Sequence, residues 1–484
     1  MISATSPRLG HFSNGQWVAS ESSRFIRDVN PSNATDLVAE VPEGTADEAA
    51  AVVRAAADAL PRWRALSGPA RAELLYGWAQ AIQGRAEELA QLMAREVGKP
   101  IGEARGEAGR CVAILRYYAG EAVRQSGDVI PAQTGQSLQY TRREPMGVVG
   151  LITPWNFPLA IPLWKAAPAL AFGNTVVLKP AEASSRCAAA LADTAAQAGI
   201  PAGVFNVLVG SGAILGPALI AQPDVAAISF TGSGKVGAMV AAAATARNIR
   251  FQTEMGGKNV AIVLPDADMA LAATLTAAGA MRFAGQKCTA TSRVIVDASI
   301  EAAFTDRLIA EAKKFSLGPV TEATAAIGPV ISAESRDAVK QALAASDAEC
   351  VYTADVPTSA DFSNGYFAPP TIVRGVKRDA DIARRELFAP VLAVFAVAGL
   401  DEAIQLANDT SYGLSASLFT RDIKNALTYV ERMEAGMVRV NGDTTGVDPH
   451  APFGGMKGSS SGSREQGPAA REFYTHLKTV QINP

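Results

Sequence analysis

Histidine and cysteine are scarce in this sequence, with three histidines and four cysteines among 484 residues. The cysteines (Cys111, Cys187, Cys288, Cys350) form no CxxC pair. A disulfide scaffold and a cysteine zinc site are therefore not expected, and a reducing, cytoplasmic setting fits better. His11, His450 and His476 are too far apart for a helical metal motif, so no metal is expected. Neither sign of charge dominates. Lys plus Arg number 44 against 47 acidic residues, which leaves no basic excess to hold nucleic acid or an anionic membrane. Long apolar runs are also missing. The most apolar stretches, 388–400 and 147–153, fall short of the ~20 residues that span a bilayer and read as buried strands. The N-terminal residues lack the charged-then-apolar pattern of a secretory signal.

A core, by contrast, is amply provided for. Hydrophobic residues make up 48% and charged residues 19%, a soluble globular composition whose length fits about three domains. Residues 46–125 place apolar side chains at three- and four-residue steps, which predicts three helices, the second running unbroken to Gly98-Lys99-Pro100. From 147 onward β-rich runs (VVGLI, TVVLK, VFNVLV, AAISF) alternate with Ala-rich helical stretches. The same alternation returns between about 259 and 440. Strands separated by helices imply βαβ units, hence two α/β domains with parallel sheets. Residues 135–145 alternate polar and apolar like a hairpin arm, and 470–484 end in a strand-like run; together they read as a small oligomerisation element or a peripheral hairpin. The Ser/Gly-rich 458–463 reads as a mobile loop.

Four segments could carry chemistry. Phe230 to Gly237 (FTGSGKVG) follows a strand and opens a helix, so its glycines would let backbone N–H groups approach a pyrophosphate. Cys288 follows Gly285-Gln286-Lys287, where a turn could expose the sulfur and Lys287 could aid its thiolate. Glu254, flanked by Met255, Gly256 and Gly257, is a carboxylate whose pKa could be raised for general-base work. Asn156, in Thr153-Pro154-Trp155-Asn156-Phe157-Pro158, is held between rings and prolines with an amide able to stabilise an oxyanion. Taken singly, each has a plain structural alternative: a tight turn, a small core residue, a surface glutamate, another turn.

In order along the chain, TPWNFP, KPAE (179–182), FTGSGKVG, EMGGKN (254–259), GQKC (285–288), ELFAP (386–390) and PFGGMKGS (452–459) resemble the aldehyde dehydrogenase superfamily. The resemblance implies an α/β fold with a Rossmann-like dinucleotide-binding domain (1–125 and 147–253), an α/β catalytic domain (254–458) and a small β oligomerisation arm (126–146 and 459–484). It implies a homodimer or homotetramer. Cys288 matches the family's nucleophile and Glu254 its general base. Asn156 and the Cys288 backbone N–H match its oxyanion hole. Lys179 and Glu182 match the pair that holds the adenosine ribose, Trp155 and Ser233 contacts to the pyrophosphate, and Glu386 and Phe388 residues around the nicotinamide. Gly212 and Gly237 are further expected cofactor contacts. Relatives that pass the acyl group to coenzyme A depart at the general-base position, so Glu254 implies hydrolysis to a free acid. A carboxylate at 182 favours NAD over NADP, although Lys179 would tolerate a 2′-phosphate.

The family's substrate tunnel maps to Phe157, Ala160, Ile161, Trp164, Arg282, Lys287, Thr289 and Phe453. Arg282 stands out, because a guanidinium there suits an aldehyde with a distal carboxylate; the alternative is that it pairs with a protein carboxylate. Succinate-semialdehyde dehydrogenases share that Arg but carry Arg where this chain has Trp164, and often Cys where it has Ala290. The strings around 156–182, 285–293 and 450–467 look closer to 2-oxoglutarate-semialdehyde (2,5-dioxopentanoate) dehydrogenases. Succinate semialdehyde is the next candidate, then aromatic or general aliphatic aldehydes, and last a non-catalytic member of the fold.

Overall fold

The computed structural model describes residues 7–124, 126–323, 325–357 and 360–484. Its first sheet has eight strands. Five are parallel, in the order Phe205–Val207, Thr175–Lys179, Val148–Ile152, Val225–Thr231, Arg250–Glu254. The chain thus winds outward in one direction from Val148–Ile152, then returns beside it with Val225–Thr231. Such a reversal opens a crevice at the carboxyl ends of the two central strands. The segments leaving those ends are Thr153–Pro158 and Gly232–Gly234, two of the motifs singled out above. Antiparallel strands close both edges, His11–Ser13 with Gln16–Val18 on one side and Ser460–Gly462 on the other.

The last of these strands corrects an expectation. The Ser/Gly-rich stretch read as a mobile loop is instead an edge strand, paired in register from Gln252↔Gly462 to Glu254↔Ser460. Small residues permit this because Gly462, at φ +85°, lies where a Cβ would strike the Phe251 carbonyl at 2.5 Å.

A second sheet of seven strands runs Glu349–Thr353, Thr371–Arg374, Val391–Val397, Arg293–Asp297, Val260–Val263, Ser415–Phe419, Met437–Val440. All but the first are parallel. Glu254 ends a strand of the first sheet, while Asn259, Cys288 and Glu386–Phe388 precede strands of the second. The carboxyl edge of one sheet therefore meets the amino edge of the other, joined by residues 255–259.

The helices before residue 125 number four, not three: Ala46–Ala65, Gly68–Gly84, Ala86–Val97 and Ile101–Glu121. Their apolar faces, with Trp63, Trp78 and Tyr118 buried, pack the first sheet's core. The expected continuous second helix breaks at Arg85 (φ −113°, ψ 16°), after Gly84. Glycine is a weak helix former, and Arg85 bonds forward to Glu88 at 3.0 Å, which starts the next helix. Gly98 ends that helix at φ +65° as expected, with Pro31 and Pro329 packed where a Cβ would lie. A three-stranded sheet, Thr475–Ile482, Leu138–Pro145, Val129–Ile130, forms the predicted hairpin arm, with Leu138, Leu477 and Ile482 exposed.

Candidate active site

Cys288 sits half-buried in the loop between the helix Met269–Met281 and the strand Arg293–Asp297. That loop is bent hard. Phe283 (φ 52°), Ala284 (φ 50°) and Gly285 (φ 66°) are all left-handed. For the two residues with a Cβ this costs roughly 1–2 kcal/mol each, so the surroundings must hold them. Asn259 fixes the far side by donating from Nδ2 to the carbonyls of Cys288 (2.8 Å) and Ala290 (2.9 Å). Asn156, 3% exposed, donates from Nδ2 to the Gln286 carbonyl at 3.0 Å. One proton of that amide is thereby spent on the nucleophile loop and the other remains for a ligand. The Cys288 backbone N–H bonds no carbonyl of the described residues. Burial, with Glu386 and Glu254 nearby, pushes the Cys288 thiol up to about 12. Lys287 does not counter this as expected, because its Nζ turns to Glu103 Oε2 at 2.8 Å.

Glu254 ends the strand Arg250–Glu254, buried, with Oε2 accepting from Ser460 Oγ at 2.6 Å. Its Oε1 has no hydrogen-bond partner among the described residues and lies 2.7 Å from where a Cβ on Gly454 would stand. Desolvation, then the charge of Glu465, raises its pKa well above the ordinary carboxylate value. Behind it runs a buried polar chain that motif reading missed. Lys165 Nζ bonds Glu465 Oε1 and donates to Ser229 Oγ (2.8 Å); Gln252 Nε2 donates to the same hydroxyl at 2.9 Å. One signal was there: Lys165 is the only charge in the apolar helix Ala160–Ala171, where a lone charge demands a buried partner.

Most of the expected cofactor residues follow the carboxyl ends of the first sheet's strands, while Glu386 and Phe388 precede a strand of the second. Lys179, 2% exposed, lies 4.0 Å from Glu182 Oε2, while Glu182 Oε1 accepts from the Gly212 N–H at 2.6 Å. Ser233 caps the helix Gly234–Ala246, and the space around Gly234 is open. Gly237 plays a packing part: a Cβ there would meet Met255 Sδ at 2.5 Å. Glu386 Oε1 accepts from the Gly257 N–H at 3.0 Å, and a Cβ on Gly256 would overlap the Glu386 carboxylate. Burial raises Glu386 to about 7. Phe388, at φ 54°, stands edge-on to Trp155 at 5.7 Å. These residues fit a dinucleotide: a Lys–Glu pair for ribose hydroxyls and a helix N-terminus for phosphates.

Of the expected substrate residues, the Trp164 and Phe453 rings lie tilted to each other at 5.4 Å, and Phe157 meets Phe283 edge-on at 6.4 Å. Ala160, Ile161 and Thr289 are buried. Arg282 is exposed and makes no ion pair among the described residues. The expected desolvation cost therefore does not arise, and a guanidinium remains available. Its influence reaches Glu103, whose pKa is lowered although burial raises it, chiefly by Lys287, then by Lys99 and Arg282.

A buried carboxylate beside a cysteine loop, an amide aimed across it and a Lys–Glu pair in the crevice can be set against known proteins. Residues 17–480 match the model of the aldehyde dehydrogenase family. The chain belongs to this family. As an aldehyde dehydrogenase it is an NAD(P)-dependent oxidoreductase. It is 43% identical over 477 residues to the alpha-ketoglutaric semialdehyde dehydrogenase of Bacillus subtilis (strain 168), covering 98% of each chain. The structure of an NAD-dependent aldehyde dehydrogenase from Sinorhizobium meliloti superposes with a TM-score of 0.95 at 36% identity, covering 99% of this chain and 95% of that one. Betaine aldehyde dehydrogenase from Staphylococcus aureus, in complex with NAD+, superposes at 0.94 with 32% identity, covering 98% and 94%. No helix among the described residues is long and apolar enough to cross a membrane.

Proposed function

We propose that this aldehyde dehydrogenase oxidises a short ω-carboxyl aldehyde, 2-oxoglutarate semialdehyde to 2-oxoglutarate, with NAD preferred. The observation that carries the substrate class is the exposed Arg282 guanidinium, without an ion pair among the described residues, six residues before Cys288. The alpha-ketoglutaric semialdehyde dehydrogenase named above supports the particular aldehyde. In this reading residues 1–125 and 147–253 bind the cofactor and 254–458 carry the chemistry; of the expected arm 126–146 and 459–484, Ser460–Gly462 belongs instead to the first sheet, and 126–146 with the strand Thr475–Ile482 joins subunits into a homodimer or homotetramer. The four free cysteines suit the cytoplasm.

The Cys288 sulfur loses its proton and bonds the aldehyde carbon, and the carbonyl oxygen becomes an alkoxide. That oxygen accepts from the second Asn156 amide proton and the Cys288 N–H; removing one such donor costs about 10²–10³ in rate. A bound oxidised nicotinamide supplies the two-electron acceptor for the hydride that leaves this carbon. As the hydride leaves, the C–O double bond re-forms and Cys288 holds a thioester. Glu254 takes a proton from water, the water oxygen bonds the acyl carbon, and the C–S bond breaks. Aldehyde, water and oxidised cofactor thus yield carboxylate, reduced cofactor and two protons.

The test is a kcat/KM comparison of 2-oxoglutarate semialdehyde with succinate semialdehyde, each with NAD and NADP. Faster turnover of succinate semialdehyde would replace the proposed substrate. Arg282→Ala should raise KM for either semialdehyde about 10–100-fold, the range of a charge-assisted hydrogen bond, and leave propanal unchanged. Equal losses for propanal would make Arg282 structural.

Cofactor choice carries its own pH signature. Burial lowers Lys179 to about 8, against the pull of Glu182. A 2′-phosphate needs the charged amine, and a ribose hydroxyl does not. From pH 7 to 9 most of that charge is lost, so KM for NADP should rise by about tenfold relative to NAD. A constant ratio would remove Lys179 from the cofactor site.

A further inference from the structure

Lys99 and Glu107 lie outside every motif that the functional reading used, yet both are about 1% exposed and ion-paired to each other. Each touches the active site. The Lys99 ammonium stands 4.0 Å from the centroid of the Phe157 ring and 4.5 Å from that of Phe283. Phe157 directly follows Asn156; Phe283 is the first left-handed residue of the nucleophile loop. Glu107 Oε1 accepts from the N–H groups of Leu159 (3.0 Å) and Ala160 (2.9 Å). The helix Ala160–Ala171 has no side-chain cap of its own, so Glu107 supplies one from a distant helix.

We propose that the Lys99–Glu107 pair positions the oxyanion donor relative to the nucleophile, as a clamp between the Asn156 turn and the Phe283 bend. Glu107 holds the Asn156 turn through two backbone bonds. Lys99, anchored by Glu107, holds both phenyl rings by cation–π attraction, which is stronger where the charge is desolvated. The two left-handed residues need such a restraint, since nothing in their own conformational preference keeps them bent. Asn156 Nδ2 on the Gln286 carbonyl reports the registry that results. These are positioning residues, which act through Phe157, Phe283, Leu159 and Ala160. The inference rests on Cys288 as nucleophile and Asn156 as oxyanion donor.

The experiment uses the full chain and propanal, which leaves Arg282 out of account. Lys99→Met alone strands a buried carboxylate and lowers the Tm. The double variant Lys99→Met, Glu107→Gln leaves no buried unpaired charge and keeps an acceptor for Leu159 and Ala160, so its Tm returns toward that of the parent. Its pre-steady-state burst of reduced cofactor should nevertheless stay about 10²-fold slower, the cost of roughly 1 Å of misplacement, with the Kd for NAD unchanged. A parent-like burst in the double variant would show the pair to be structural only and overturn the proposal. Should the double variant fail to fold, Phe283→Leu retains the ion pair; it should slow the burst at unchanged Kd for NAD, and an unaltered burst overturns the proposal equally. Cys288→Ala serves as control. A burst from that variant would sink the nucleophile assignment itself, a failure separate from the clamp's.

Discussion

Cys288→Ala should abolish aldehyde oxidation, with turnover falling to the background of the assay. The whole route passes through the S–C bond, and no other cysteine can substitute: Cys111 and Cys187 are buried among helices and Cys350 is exposed on an edge strand of the second sheet. The Kd for NAD and the Tm should barely move, because the side chain is small and half-buried. Retained turnover would place the nucleophile elsewhere. A companion result concerns the resting enzyme. With the thiol pushed up to about 12, Cys288 should react slowly with iodoacetamide at pH 7.5, and faster as pH rises. Peptide mapping of the alkylated enzyme would separate it from the exposed Cys350.

Glu254→Gln should divide the reaction at the thioester. Hydride transfer precedes the step that needs the base, so a burst of reduced cofactor equal to one per active site should survive. Steady-state kcat should fall by about 10²–10⁴, the usual range for a lost general base, and acyl-enzyme should be visible by intact mass. The pH dependence has a definite sign. Burial and Glu465 keep the Glu254 proton on to a pH well above the usual carboxylate range. The carboxylate is the active form, so hydrolysis is lost as pH falls through that raised value and recovers above it. Glu254→Gln should lack this limb. An unchanged profile, or loss of the burst as well, would take the base role from Glu254.

The turns at 153–158, 230–237 and 254–259 were legible because Pro and Gly punctuate β-rich runs there, and such punctuation is local. Cys288, Glu254 and Asn156 were therefore singled out as candidates from residue type and setting, each with a plain structural alternative; their roles came from the family resemblance, and the structure brings all three to the meeting edge of two sheets. The partners that set their protonation and orientation were not legible. Glu465 lies 300 residues from Lys165, and Ser460 206 from Glu254. An apolar helix with one lysine says that a partner exists but not where. Serine and glycine at 458–463 have the composition of a loop. Only the free edge of Arg250–Glu254, which is a tertiary fact, makes a strand of them. Lys287 shows the converse error: adjacency in sequence to Cys288 did not place its amine beside the sulfur.

The Ser460–Gly462 strand has a consequence for synthesis. The first sheet's parallel strands are all translated by residue 254, yet the edge that clamps the general base is made some two hundred residues later, after the entire second sheet. Pairing across so long a stretch of chain is slow and comes late in folding. A nascent chain on the ribosome can therefore build the dinucleotide crevice long before it can hydrolyse a thioester. Catalytic competence arrives only once Ser460 has been made and has reached Glu254.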